Sequence, residues 1–310
     1  MRMAVELWAP EYGSPIDGEL EASTATIEVG IEVPADRWAP LAPRRAEPAK
    51  RVRFVDGVRR VDAGVWITGD EQLAWQGVAA SYGAGVVRCE PASAQVETCA
   101  VRRGLFSAAP DLRPLRTRHG TYHPRAAAGG RGEDFVRAVQ QRMLELEAEV
   151  AAEAGEADLV VVDGPLRKAP SVPGAVGYVK THHTAYLPPA QAVVIGRLRP
   201  GERTPLFLTT TRWSRYSWYL RLPGGGSHAW AGVVRGEASG DLAPEEARRV
   251  ADLVAATLPS YASSPAKDPR APQNLHPVAH LERRLRHHLG DPALLYRSLT
   301  LAAARRASAA

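Results

Sequence analysis

Two apolar runs, each closing on Asp-Gly, constrain this chain more than any other feature: Arg51-Val-Arg-Phe-Val-Asp56-Gly57 and Leu159-Val-Val-Val-Asp163-Gly164. A run such as Leu159–Val162 reads as a buried strand. An acid at the end of such a strand is delivered to the sheet rim, where it stays hydrated or binds a hard cation. If neighbouring strands bring Asp56 and Asp163 together, the product is an oxygen-rich site suited to Mg²⁺ or Mn²⁺ and to phosphodiester chemistry. The plainer reading is that Asp-Gly marks a turn after each strand.

The distribution of charge points the same way. The net charge is only +5, but the stretch from Pro165 to Arg235 carries Arg167, Lys168, Lys180, Arg197, Arg199, Arg203, Arg212, Arg215, Arg221 and Arg235 against one acid, Glu202. The stretch before it, Glu133 to Asp163, holds nine acids and two arginines, Arg137 and Arg142. An acidic segment that holds cations followed by a basic one that holds phosphates suits a nuclease. A solvated surface with chance clustering is the alternative. With 45% hydrophobic and 24% charged residues, the chain reads as an ordinary soluble globular protein of one large or two small domains. No apolar stretch approaches the roughly 20 residues of a membrane span. The start breaks into charge too early for a secretory signal, and Cys89 and Cys99 form neither a zinc pattern nor a disulfide framework. The expected location is therefore cytoplasmic.

Residues 1–50 are Pro-rich and read as an extended arm with one short strand at Ala25–Val33, suited to packing on a partner subunit or to a flexible tail. The remainder, 51–310, reads as one domain. Strands are expected at Val52–Asp56, Gly64–Thr68, Leu73–Ser81 and Gly85–Glu90, an antiparallel meander, and Pro110–Arg131 as a loop. A helix follows over about Gly132–Ala154, its stripe Phe135, Val139, Met143, Leu146 and Val150. Beyond the Asp163 strand, further strands are expected near Ala192–Leu198, Leu206–Thr210, Trp218–Leu222 and Ala229–Val234. Helices over Pro244–Leu258, Pro277–Leu289 and Pro292–Ala304 close the chain. Meander, helix, strand and closing helices is the order of an α/β fold of ribonuclease H-like type: a mixed sheet flanked by helices, here with extra strands and C-terminal helices. That fold sets its first and fourth strands side by side.

A two-metal phosphodiesterase needs about four ligands, two of them strand-end carboxylates. The helix offers Glu145, Glu147 and Glu149. At 100° per residue Glu147 lies about 70° from the centre of the apolar stripe, Glu149 about 90° and Glu145 about 130°, so geometry prefers Glu147. A C-terminal ligand is sought in Gln273-Asn274-Leu-His276-Pro-Val-Ala-His280, where His280 falls opposite the Val278/Leu281/Leu285 stripe and Asn274 precedes the helix. Both stay open, with His280 slightly favoured. Lys180, in Gly177-Tyr-Val-Lys180-Thr-His-His, follows the second aspartate and is placed to hold a phosphate. The segment Arg212-Trp213-Ser-Arg215-Tyr216-Ser-Trp218-Tyr219-Leu-Arg221 interleaves cations and aromatics, as a single-strand binding surface does. It reads equally as a two-faced strand whose aromatics are core. There is no phosphate loop of the GxxxxGK[ST] kind and no Gly-x-Ser-x-Gly elbow.

Over residues 50 to 290 these motifs, in this order, resemble the NurA nuclease family. The residues that carry the likeness are Phe54-Val-Asp56-Gly57, a glutamate-bearing helix, Val161-Val-Asp163-Gly164-Pro-Leu166, Gly177-Tyr-Val-Lys180 and a proline-preceded segment ending at Ala279-His280. Pro165 stands where that family has a small hydroxyl residue, and an Arg-x-x-Glu pattern from Arg142 would choose Glu145 rather than Glu147. The resemblance implies a DNA-end-processing nuclease with Mn²⁺ or Mg²⁺ at Asp56, a helix glutamate, Asp163 and His280. It also implies a ring-forming homodimer and a HerA-type hexameric ATPase as partner. A non-catalytic DNA-binding adaptor on the same fold, and a nuclease of another class such as a resolvase or an RNA-directed enzyme, are the rival expectations.

Overall fold

The computed structural model describes residues 21–307 apart from 45, 69–72, 131, 170 and 227. The first 20 residues of the expected arm lie outside the described residues. In chain order the strands are β1 (Glu21–Ala22), β2 (Thr26–Glu28), β3 (Val52–Thr68), β4 (Ala74–Glu90), β5 (Ser93–Ser107), β6 (Leu115–Thr117) and β7 (Gly120–Ala126). After helix α1 (Gly132–Glu153) come β8 (Leu159–Asp163), β9 (Ala175–Val179), β10 (Thr184–Ala185) and helix α2 (Pro189–Arg197). The chain closes with β11 (Phe207–Thr210), β12 (Ser214–Arg221), β13 (Val233–Ser239), α3 (Pro244–Thr257), α4 (His276–His288) and α5 (Pro292–Ala307). No helix among the described residues is long and apolar enough to cross a membrane.

The fold is mixed α/β, with mixed sheet flanked by helices, as the sequence implies. It divides into two units: residues through Phe54 with 87–95 and 156–279, and residues 55–86 with 96–155 and 280–310. In the first unit the strand order is β2-β11-β12-β13-β9-β8, with the start of β3 beside β8. There the Arg51 carbonyl accepts the amides of Asp158 and Leu159 at 2.9 and 3.3 Å. The strands carrying the two Asp-Gly motifs are thus neighbours where β3 begins. β8 and β9 run parallel, Asp163 opposite Tyr178, and β9, β13 and β12 pair antiparallel.

The core of this unit gathers Trp38, Leu187, Val194, Ile195, Leu198, Phe207, Tyr219 and Val233. Trp38 belongs to the Pro-rich segment read as an arm, and its indole donates to the Val29 carbonyl at 2.8 Å. Glu32 of the same segment holds Arg203 at 2.7 Å, and Asp252 takes the other side of that guanidinium. Two charges on one buried cation, all hydrogen-bonded, are stable where a lone one is not. The described part of the segment is therefore an integral layer of the first unit.

In the second unit the order is β3-β4-β5-β7-β6. Its strands are longer and fewer than the sequence suggests. Val52–Asp56 and Gly64–Thr68 are one strand of 17 residues, and so are Leu73–Ser81 and Gly85–Glu90. α1 follows its apolar stripe: Phe135, Val139, Met143, Leu146 and Val150 are all buried. A second core of Ala79, Leu105, Leu115, Tyr122 and Leu299 lies under α5. Within it Asp62, buried, accepts from Ser81 Oγ at 2.5 Å, Tyr122 Oη at 2.9 Å and Arg60 Nε at 2.9 Å. Arg60 also donates to the Gly290 carbonyl at 2.9 Å, satisfying an otherwise open acceptor just past the end of α4.

Other elements also depart from expectation. Ala192–Leu198 forms the helix α2, not a strand. Pro189 sits at its first turn, where its fixed φ is already helical, and burial of Val194, Ile195 and Leu198 follows helical spacing that a β-branched run disguised. β13 starts at Val233 and runs on through Arg235 and Glu237, because these two charges are buried as partners at 2.8 Å. β5, β6, β7 and β9 were not anticipated. β5 buries only its last four residues, Leu105 and Phe106 among them, and its earlier part carries no clean apolar alternation.

Candidate active site

In the first unit the site is built at the end of β8. Leu159 and Val161 are buried and drive the strand into the sheet, so Asp163 arrives at its rim. Gly164 then turns the chain with φ +107°, a conformation that favours glycine, and its amide donates to the Tyr178 carbonyl at 2.8 Å. The turn is locked from below. The Leu166 amide donates to Glu237 Oε2 at 2.8 Å, and Glu237 is itself held by Arg235 at 2.8 Å and Arg215 at 3.6 Å. Gly177 must be glycine for this to happen, since a Cβ there would stand 2.5 Å from the Leu166 nitrogen.

Asp163 Oδ2 accepts from Lys180 Nζ at 2.6 Å, a short charge-assisted bond between side chains each 14% exposed. Asp163 Oδ1 is buried, and among the described residues no group donates to it. Lys180 Nζ also donates to Asn274 Oδ1 at 3.0 Å. Asn274, fully buried, donates through Nδ2 to Asp268 Oδ2 at 2.7 Å. Asp268 Oδ1 accepts the Arg270 amide at 2.8 Å, and the Arg270 guanidinium lies 3.6 Å from the same carboxylate. Asp163, Lys180, Thr181 and Arg270 share a cleft of about 250 Å³. Tyr178 lines it with its hydroxyl donated to the Gln273 carbonyl at 2.7 Å. Burial and the Asp163 charge hold that phenol protonated, far above its ordinary range.

The second unit carries the other predicted acids. Asp56 and Glu147 are buried, 7% and 3% exposed. Asp56 Oδ1 accepts the Gly57 amide at 2.8 Å. Glu147 reaches from α1 to the backbone of β3 at Gly57: a Cβ there would collide with Glu147 Oε1 and stand 2.9 Å from Met143 Cγ. The two Asp-Gly pairs therefore have different causes. Gly164 is a turn, whereas Gly57 lies inside a strand and is small so that a helix glutamate fits against it. Glu145 faces outward and pairs with Arg142 at 2.7 Å, and Glu149 pairs with Arg102. His280 is exposed on α4 in this second unit.

Among the described residues no three His, Cys, Asp or Glu side chains gather into a metal cage. An open position is Asp163 Oδ1, a buried carboxylate oxygen that receives no hydrogen bond among the described residues. Carboxylate oxygen is a hard donor, of the kind that Mg²⁺ and Mn²⁺ prefer.

The Arg212–Arg221 segment is the two-faced strand with core aromatics. Trp218 is fully buried, and a Cβ on Gly236 would fall onto its indole. Arg221 donates to the carbonyls of Ala229, Ala231 and Ile195, and desolvation lowers its pKa. Arg215 is committed to Glu237 and lies 5.2 Å over the Trp213 ring. Arg212 is exposed. Sequence reasoning did not single out Glu237, Asp268 or Arg270. Asp268-Pro-Arg270 reads as an ordinary turn, and Glu237 as the polar end of a strand.

No protein-family model matches this chain, and no curated protein does. Among solved structures it is similar to the NurA nuclease from Sulfolobus solfataricus, with a TM-score of 0.46 and 10% identity over 81% of this chain and 84% of that one. It is also similar to endonuclease V from Bacillus subtilis, with a TM-score of 0.32 and 11% identity over 81% of this chain and 86% of that one. At such identity a likeness concerns the fold alone.

Proposed function

We propose that this protein is a divalent-metal-dependent nuclease that hydrolyses phosphodiester bonds in single-stranded DNA or at duplex ends. The observation that carries the reading is Asp163: a strand-end carboxylate with one oxygen fixed by Lys180 and the other buried without a donor, beside a cleft that also presents Arg270. A carboxylate with one oxygen still open to a cation, in a cleft that also carries the Lys180 and Arg270 cations, matches a phosphodiester better than a neutral ligand. Asp163 is the group that would hold Mn²⁺ or Mg²⁺ in the first unit, and Asp56 and Glu147 are the acids available for that role in the second. Such an ion, when bound, lowers the pKa of a water and stabilises the leaving oxygen.

The chain's own part is positioning and charge. Lys180 holds Asp163 in place at 2.6 Å, and its ammonium lines the cleft as a charge for a non-bridging phosphate oxygen. Arg270 supplies a second such contact. Glu237 fixes the turn that carries Asp163, so the carboxylate is presented without a search through conformations. The motif order resembling NurA supports extending the reading to DNA-end processing, a homodimer and a HerA-type hexameric translocase as partner.

The test is cleavage of end-labelled single-stranded DNA with Mn²⁺, comparing the intact protein with Asp163→Asn. The expected result is a loss of at least about 10³-fold, as for a removed metal ligand or charge stabiliser. Undiminished cleavage by Asp163→Asn would end the proposal. Salt-sensitive DNA binding with no cleavage by the intact protein would make it a binding module instead.

A further inference from the structure

Behind Lys180 lies a relay that no part of the nuclease reading requires. Asn274 is 0% exposed and Asp268 is 5% exposed, yet neither faces the cleft that Asp163, Lys180 and Arg270 line. Asp268 Oδ2 accepts from Asn274 Nδ2 at 2.7 Å, and Asn274 Oδ1 accepts from Lys180 Nζ at 3.0 Å. An amide has two ends of opposite polarity, and here both are specified. The ammonium only donates and the carboxylate only accepts, so a flipped Asn274 would set NH₂ against NH₃⁺ and oxygen against oxygen. Asp268 cannot turn away either, because its other oxygen accepts the Arg270 amide at 2.8 Å. A lysine ammonium on four carbons is otherwise a mobile point charge. Here it is fixed from two sides, by Asp163 at 2.6 Å and by Asn274.

We propose that Asn274 and Asp268 are positioning residues that hold the Lys180 ammonium at Asp163, with Asp268 setting the orientation of the Asn274 amide. Neither touches substrate; both act through Lys180. The effect on cleavage rests on the nuclease reading above, but the placement of Lys180 does not.

Two measurements decide it. The first is a cycle of Asn274→Ala, Lys180→Ala and the double variant, read as kcat and KM for cleavage of labelled single-stranded DNA with Mn²⁺. Asn274→Ala is expected to lower kcat about tenfold with KM within about twofold, and to add less than about twofold once Lys180 is alanine. An equal loss in both backgrounds overturns the proposal, since Asn274 would then act without Lys180. The second measurement needs no activity: the rate of reductive methylation of Lys180, mapped by peptide mass spectrometry, with exposed Lys168 and Lys267 as internal references. Asn274→Ala should speed Lys180 modification several-fold against those references. Asp268→Ala, which keeps the Asn274 side chain itself, should do the same. Asp268→Asn, which keeps an acceptor, should rescue most of the protection. Unchanged Lys180 protection in Asp268→Ala overturns the proposal even if Asn274→Ala does not fold. If the intact protein cuts no DNA, the nuclease reading fails and the methylation rates still decide the positioning role.

Discussion

Two buried aspartates, one in each unit, show how differently the same side chain is used. Asp62 has both oxygens filled, one by Arg60 and the other by Ser81 and Tyr122, and Arg60 passes the connection on to the backbone after α4. Asp163 has one oxygen filled by Lys180 and the other left without a donor among the described residues. A complete set of donors makes a carboxylate a structural node whose loss is felt throughout its surroundings. An incomplete set is a local cost that a water or an ion can relieve. The Tyr122 phenol, pushed up to about 12 by burial and by Asp62, belongs to the first pattern: it stays a donor throughout the working pH range.

The sharpest way to break this contrast is to remove each carboxylate in turn. Asp62→Ala leaves Arg60 and two hydroxyl groups without their acceptor and should cost about 3–5 kcal/mol of stability. Asp163→Ala should change stability by no more than about 1 kcal/mol, because Lys180 keeps its bond to Asn274 and the open Oδ1 goes with the carboxylate. Urea unfolding followed by circular dichroism measures both. If the two losses were equal, Asp163 would be a structural residue like Asp62, and its bare oxygen would carry no meaning.

A further buried ionisable group extends the comparison from charge kept to charge refused. His182 donates Nε2–H to the Val233 carbonyl at 3.1 Å and packs against Tyr219 and Trp230 at 5.6 and 4.9 Å between ring centroids. Burial pushes its pKa down to about 4, with Arg235 and His183 adding to the fall and the Val233 bond opposing it. In the unfolded chain the imidazole titrates near its ordinary value of about 6.5. Stability is therefore complete above that pH. As pH falls from about 6.5 towards 4 the unfolded chain takes up a proton that the folded one refuses, and about 3 kcal/mol is lost. His182→Phe, which keeps an aromatic ring of similar size, should flatten this part of the stability–pH curve. An unchanged slope between pH 7 and 4.5 would show that the ring is free to protonate in place.

How much of this was readable in the sequence follows from the same distinction. α1 and its glutamate were legible because an amphipathic helix states its buried face through periodicity, and Glu147, at the edge of that face, is the one that turned inward. β8 was legible because a continuous apolar run closed by Asp-Gly has few other readings. Asp268, Asn274 and Glu237 were hidden or ambiguous because their roles lie in contacts to residues 94, 71 or 6 positions away along the chain, which no local spacing encodes. The sequence hides the full length of β3 because Asp56-Gly57 has the composition of a turn. The real reason for Gly57, a helix side chain pressed onto its Cα, exists only in three dimensions. Gly57→Ala tests that reason directly. The added methyl must displace Glu147 or Met143, at a cost of about 1–3 kcal/mol. A neutral result in the same urea melts would return Gly57 to the status of an ordinary strand glycine.

The smallest expected effect separates the two glutamates that local patterns could not. Glu145 accepts from Arg142 at 2.7 Å and from Gln141 at 3.2 Å on the outer face of α1. Its partners are three and four residues away on the same helix and well exposed, so water and salt replace them readily. Glu145→Gln should therefore shift stability by less than about 0.5 kcal/mol and leave DNA cleavage unchanged. Glu147→Gln removes a buried charge beside β3 and should lower cleavage by an order of magnitude or more if the second unit's acids serve the reaction. The comparison is internal to one helix, two residues apart, with the same chemical change at each. A loss of cleavage in Glu145→Gln with none in Glu147→Gln would restore the Arg-x-x-Glu register and make the inward turn of Glu147 a matter of packing alone.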